Sequence, residues 1–312
     1  MLAYGPWTGS LWILVPIVIL ASILLPILAK VKSASQAVIV YTSQDQEYAE
    51  PIFNNFTKQT GIKVLPVYDN EAAKTVGLVN RLIAEKNNPQ CDVFWNNEEL
   101  RTRQLARDGV VKSNWVAFGV RTRRLVVNTN LLPLARAPYD VLALTNKEYF
   151  GKVALAYPLF GTTSAHVLAL REHLGQIGWE NWCRTLAANK PFVVDGNSVV
   201  VKMVGKGEAL LGLTDSDDVL AGQHDGLPVN SILLGQDGFA ISNTAAVVAN
   251  APHSVAARNL INYLQSPKVL SELQKAGAIE PDSQTNAMHV DWNILLATQN
   301  TNLEFLKGLF LR

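Results

Sequence analysis

Residues 36–64 constrain what this chain can fold into more than any other stretch. Ala37-Val38-Ile39-Val40-Tyr41 is a short β-branched run suited to a buried parallel strand. Thr42-Ser43-Gln44-Asp45-Gln46 turns the chain, and Ser43 with Gln46 has the spacing of a capping box. Ala49, Ile52, Phe53 and Phe56 then recur at helical spacing, Gly61 stops the helix, and Ile62-Lys63-Val64 begins a second strand. Such a unit leaves polar groups, here Thr42 and Ser43, at the carboxyl end of its first strand, where open α/β sheets hold ligands.

An apolar segment precedes this unit. Residues 11–29 carry no charge and approach the roughly 20 residues needed to span a bilayer. Residues 1–35 therefore read as a signal peptide, with Ser33-Ala34-Ser35 supplying small residues for cleavage, or as a retained membrane anchor. The long apolar core and the absence of a basic residue ahead of it favour the anchor. Lys30 and Lys32 behind it oppose that orientation by the positive-inside rule. Both readings export the remainder to the periplasm or extracellular face. Setting aside those two lysines from the 27 basic residues leaves 25 against 26 acidic ones. A near-neutral body without clustered cationic charge is a poor nucleic-acid binder. Cys91 and Cys183 read as two small buried residues rather than a disulfide.

Strands and helices alternate along the rest of the chain. Strands are predicted at residues 91–95, 125–127, 152–156, 192–194, 207–213, 239–241 and 245–248. Helices are predicted at 78–85, from Asn96-Asn97-Glu98-Glu99 onward, from Thr162 to a stop at Gly175, around 200–204, and at 254–264 and 267–275. Residues 214–218 read as a polar turn. Alternation of this kind predicts a mostly parallel sheet in each of two lobes. The length allows roughly two domains of about 150 residues. The expected division is residues 36–124 with 240–285 as one lobe and 125–239 as the other, with 286–312 as a tail packing back.

Several motifs carry chemistry. Gly161-Thr162-Thr163-Ser164 places backbone donors and hydroxyls at a helix start, which favours an anion, although an ordinary Thr cap has the same appearance. Asp195-Gly196-Asn197-Ser198 is a second such start. Arg121 and Arg123 point the same way if extended and could share a carboxylate or phosphate, or simply be solvated. Asp215, Asp217 and Asp218 could ligate a hard cation such as Ca²⁺, Mg²⁺ or Fe³⁺, or cap a helix. No pair among the five histidines has metalloprotease spacing, and no nucleophile motif occurs. A bare anion would be repelled by the three aspartates, so the residues favour a metal with an anion, or a solute carrying both charges.

The chain resembles the iron(III)-type branch of the extracellular solute-binding proteins of ATP-driven importers. The resemblance runs from about residue 37 to 284. Its first matches are Val38-Ile39-Val40-Tyr41-Thr42-Ser43, Phe56-Thr57-Lys58-Gln59-Thr60-Gly61-Ile62-Lys63-Val64, Glu71-Ala72-Ala73-Lys74-Thr75-Val76-Gly77-Leu78 and Asp92-Val93-Phe94-Trp95. It continues through Arg121-Thr122-Arg123, residues 158–164, Gly196-Asn197-Ser198, Gly207-Glu208-Ala209, Ala251-Pro252-His253 and Leu264-Gln265-Ser266-Pro267. The resemblance implies a two-lobed α/β periplasmic-binding-protein-like fold whose interlobe cleft closes on its ligand. It also implies ABC permease and ATPase subunits as partners, a monomer, and no enzymatic activity. Iron-binding members grip Fe³⁺ with an adjacent tyrosine pair, a first-lobe His or acidic residue, and a synergistic anion. Here Ser216-Asp217-Asp218 stands where the pair belongs and no Tyr-Tyr occurs. The histidine position falls on Asp45 and the acidic one near Asn97 or Glu98. The expected metal ligands are thus Asp45, Glu98, Asp215, Asp217 and Asp218. The expected ligand or anion contacts are Thr42, Ser43, Arg121, Arg123, Gly161, Thr162, Thr163, Ser164 and Asn197. A phosphorylated or zwitterionic organic solute is the alternative cargo. A tethered sensor and an enzyme on the same scaffold are remoter ones.

Overall fold

The computed structural model describes residues 37–69, 76–281 and 287–311. The segment read as signal or anchor, residues 1–35, lies outside them. Among the described residues no helix is long and apolar enough to cross a membrane.

The opening unit forms as its sequence predicts. Strand β1 (Ala37–Thr42) leads to helix α1 (Gln46–Thr60), and Gly61, in the left-handed region, ends that helix before β2 (Lys63–Tyr68). The capping box does not form. Asp45 is the cap residue, and Ser43 Oγ instead donates to Asn96 Oδ1 at 2.7 Å and accepts the Asn97 N–H at 3.0 Å. Helix α2 (Val76–Ala84), β3 (Val93–Asn96) and α3 (Glu99–Arg107) follow. β1 pairs in parallel with both β2 and β3. Its alternation is sorted by face: Val38 and Val40 pack with Phe53 and Phe56, while Tyr41 packs with Leu78 and Leu82 on the other side. Both faces of this sheet are covered, which is why the strand reads as a continuous apolar run.

Strand β4 (Val116–Asn128) is thirteen residues long, far longer than the apolar core 125–127 suggests. It serves two sheets. Its first half pairs antiparallel with β9 (Ala240–Val247), which in turn pairs with β3. Its second half pairs with β7 (Leu211–Asp215) on one edge and β8 (Val229–Leu233) on the other. β5 (Val153–Ala156) then joins β7 to β6 (Phe192–Val194), both in parallel. The two strands predicted around 239–248 are one strand, β9. Strand β8 has no counterpart in the sequence reading, because Asn230 and Ser231 interrupt its apolar pattern.

Helix α4 (Gly161–Ala188) contains the predicted break at Gly175, with φ 69° and ψ 163°, but a second helical run continues beyond it. That run buries Trp179, Trp182 and Cys183 against Leu155 and Leu213. On the opposite face of the same sheet, Val126 and Ala154 pack with Val200, Val201 and Val204 of α5 (Asn197–Gly205) and with Val219 of α6 (Ser216–His224). Residues 214–218 are therefore not a turn: Asp215 ends β7 and Ser216 begins α6. α7 (Ser254–Leu264) and α8 (Pro267–Ala276) return to the first sheet through Leu260, Leu264 and Leu273. α9 (Trp292–Phe310) packs on α4 through Leu306 and Phe310 and touches α3, where Arg107 Nη1 reaches the Leu296 carbonyl at 3.3 Å. Cys91 and Cys183 are both free and buried.

Candidate binding cleft between the lobes

The carboxyl ends of the strands on either side of β4 face one another across a cleft. Four helices start on it. From the first lobe α1 begins after Asp45, and from the second α4, α5 and α6 begin at Gly161, Asn197 and Ser216. Phe160 and Gly196, the residues before α4 and α5, supply no side-chain cap, so those helix ends present backbone N–H groups toward the cleft. An inner cavity of about 40 Å³ is lined by Asp45, Asn97, Arg121, Thr162, Thr163, Asn197 and Asp215, among others. An adjoining cavity of about 280 Å³ is lined by Asp45, Glu47, Tyr48, Ser198, Asp217 and Asp218.

The predicted anion residues converge, but on a group of the protein itself. Arg121 and Arg123 do point the same way, and both are buried. Asp215 Oδ2 accepts from Thr162 Oγ1 at 2.7 Å, Asn197 Nδ2 at 3.1 Å and Arg121 Nη2 at 3.3 Å, while its Oδ1 accepts from Arg123 Nη1. Arg123 also donates from Nη1 to Asn197 Oδ1 at 3.2 Å and from Nη2 to Thr163 Oγ1 at 3.2 Å. Burial alone would raise the Asp215 pKa, but Arg123, Arg121 and the Thr162 hydrogen bond outweigh it and hold the carboxyl below its ordinary range. Asp215 is thus gripped by the residues expected to hold an anion.

Asp217 and Asp218 sit in the first turn of α6, where the helix dipole favours negative charge. Asp217 Oδ1 lies 3.3 Å from Arg121 Nε. One oxygen from each of Asp215, Asp217 and Asp218 lies within 4.8 Å of the others. Burial disfavours the charge on Arg121, yet Asp217, Asp215, Asp218 and Asp45 together raise its pKa above the usual range. Five aspartates, Asp45, Asp195, Asp215, Asp217 and Asp218, line the inner cavity against Arg121, with Arg123 directly behind. Their formal charges leave the cleft three units negative.

Four predicted residues take other places. Thr42 at the end of β1 and Ser43 just after it are buried, Thr42 Oγ1 accepts the Gln44 N–H at 3.0 Å, and neither lines the cleft. Ser164 is buried inside α4. Glu98 is not brought to Asp217 and Asp218. It caps α3, accepting the Arg101 N–H at 3.0 Å and Asn96 Nδ2 at 3.2 Å, and burial raises its pKa. Conversely, Tyr48 and Tyr157 line the cleft without having been singled out, and Asp195, named only as part of a helix-start motif, lines it too. Burial and then the charges of Asp217, Glu47, Asp45 and Asp218 push the Tyr48 phenol above its ordinary range, so this ring sits in the field of the carboxylates. Its position one turn after Asp45 was the available signal.

Comparison with known proteins places this geometry. A family model described as bacterial extracellular solute-binding protein matches residues 38–278. The Fe(3+)-binding periplasmic protein of Serratia marcescens is 26% identical over 291 residues, covering 85% of this chain and 84% of that protein. The fold is similar to iron-bound HitA from Pseudomonas aeruginosa, with a TM-score of 0.78 at 18% identity over 88% of this chain and 99% of that one. It is also similar to AfuA from Actinobacillus pleuropneumoniae with fructose-6-phosphate bound, with a TM-score of 0.75 at 14% identity over 88% and 98%. With a family match over most of its length, the chain belongs to the bacterial extracellular solute-binding protein family, which is not a family of enzymes.

Proposed function

We propose that this protein captures a hard metal cation, ferric iron foremost, in the interlobe cleft and delivers it to the permease and ATPase subunits of an ABC importer. The observation that carries the reading is the net negative cleft, in which Asp45 from one lobe and Asp217 and Asp218 from the other line a single cavity. Oxygen-rich, anionic sites suit hard cations. In this reading Asp45 from the first lobe and Asp217 and Asp218 from the second hold the ion, with Tyr48 or Tyr157, which line the same cavities, as the candidate phenolate ligand. The Arg121, Arg123, Thr162, Thr163 and Asn197 cradle, with Gly161 at the start of α4, holds an anionic group, which in this structure is the Asp215 carboxylate. The largely separate apolar clusters around the two sheets support lobes of residues 37–124 with 240–285 and of 125–239, with Leu100 and Ile241 reaching from the first into the core of the second. Residues 11–29 would direct the protein out of the cytoplasm, as a cleaved signal or as a tether. The similarity to the Fe(3+)-binding periplasmic protein of Serratia marcescens supports the same cargo.

Thermal shift and calorimetry on the purified protein test this. The panel is Fe³⁺ supplied as a weak chelate, Mn²⁺, Ca²⁺, a sugar phosphate and a zwitterionic amino acid. A metal at 100 times its Kd adds about 2.7 kcal/mol, and Asp217→Asn with Asp218→Asn removes most of that gain. A visible charge-transfer band on ferric loading would identify a phenolate ligand, and loss of the band in Tyr48→Phe or Tyr157→Phe would say which. Stabilisation by the sugar phosphate or the amino acid without metal would overturn the metal reading.

A further inference from the structure

Two buried guanidinium groups, two hydroxyls, one amide and the uncapped starts of α4 and α5 make a site that elementary electrostatics assigns to an anion. In this protein the site is filled from within. The Asp215 carboxylate takes four donors from three separate parts of the chain and is 1% exposed. Its position makes this arrangement informative. Asp215 is the residue before α6, where an aspartate ordinarily turns its carboxylate back to accept N–H groups of its own helix. It does not do so: its side chain makes no cap hydrogen bond and crosses instead to the arginines and Thr162. Donors exceed acceptors even so, since among the described residues Arg121 Nη1 and Arg123 Nε find no hydrogen-bond partner.

We propose that Asp215 is a built-in anion: its carboxylate occupies the place a free oxyanion would need, so the cleft takes a cation without recruiting phosphate or carbonate and turns away phosphorylated solutes. The inference rests on the reading of this cleft as the solute site, and it deepens that reading by fixing the charge class of the solute. Asp215 acts as a specificity residue, by pairing with Arg123 and, together with Asp217, with Arg121 before any solute arrives. A free oxyanion entering the cleft would have to displace a carboxylate that shares the backbone with the cradle, or sit beside four further aspartates.

The test has two arms, and the first needs no metal. Inorganic phosphate, sulfate and bicarbonate are titrated into the purified full-length protein and into Asp215→Ala and Asp215→Ser. The native protein is expected to show no saturable binding. Either variant is expected to gain one-to-one phosphate binding that a further Thr162→Val change weakens by about tenfold. Should Asp215→Ala fold only when phosphate is present, that dependence is itself the expected gain. The second arm titrates the metal into native protein with and without phosphate, and the affinities are expected to agree. Saturable phosphate binding by the native protein, or folded Asp215 variants that gain none, overturns the proposal. So does a metal affinity that rises about tenfold with phosphate. If the native protein bound no metal at all, the first arm would still decide the role of Asp215, so the two readings fail separately.

Discussion

His166 lies fully buried on α4, with Nε2 2.9 Å from the Asp237 carbonyl and its ring stacked on Phe239 at 5.5 Å between centroids. Burial and the charge of Arg123 lower its pKa to about 3. Between about pH 3 and 6.5 the unfolded chain therefore binds a proton that the folded protein does not, and stability falls as the pH is lowered through that window by about 1.4 kcal/mol per unit. Asp215 acts in the same sense: its pKa is depressed on folding, so its contribution is present above the unfolded value and lost as the pH falls through the folded one. Urea unfolding at pH 7 and pH 5 should show His166→Gln losing less stability on acidification than the native protein, by about 2 kcal/mol. Equal losses would show that the histidine does not carry the effect. Much of the cradle was legible at this scale. The alternation of Arg121 and Arg123 and the hydroxyls after Gly161 have strict local periods. What they grip was not legible, because Asp215 is 92 residues from Arg123 and only the topology joins them. Glu98 shows the reverse failure: an acidic residue at a helix start can be spent on its own cap.

At the scale of elements, the molecule depends on one strand serving two sheets. β4 passes from β9 to β7 and β8 along its length, with a register shift between Ala117 and Val120 where Gly119 adopts φ +70°. A methyl group added there would stand 2.6 Å from Ile279 Cδ1. Gly119→Ala should therefore cost about 1–3 kcal/mol, from a left-handed backbone and from crowding together. Chemical denaturation checks this, and a change below about 0.5 kcal/mol would show that the bulge relaxes freely. The polar character of Arg121-Thr122-Arg123-Arg124 hid this strand, leaving only residues 125–127 apolar enough to read. A strand that crosses between lobes carries site residues on its span, so its hydrophobic pattern is interrupted where function lies. The Asp-rich residues 214–218 misled for a related reason. Their polarity suggests a turn, but it marks a strand end and a helix start that meet at the cleft.

On the scale of the whole molecule, the strand–helix alternation and the ordered matches predicted the fold class, and the similarity to solved binding-protein structures agrees with it. The helical run after Gly175 and the helix α9 escaped, because both owe their place to apolar contacts with distant elements such as Trp179 against Phe305. The two free thiols are placed so that each belongs to a different half. Cys91 is buried with Tyr41 and Phe94 around the first sheet, and Cys183 with Leu155 and Trp179 around the second. Burial pushes both thiols above their ordinary range, so neither reacts while its half is closed. The protein therefore carries its own pair of unfolding clocks. With Cys91→Ser leaving only the second thiol and Cys183→Ser only the first, the labelling rate of each by a disulfide reagent reports how often that half opens. On the proposed reading, in which residues of both lobes hold the ion, metal loading should slow both clocks together; a ligand confined to one lobe would slow only one.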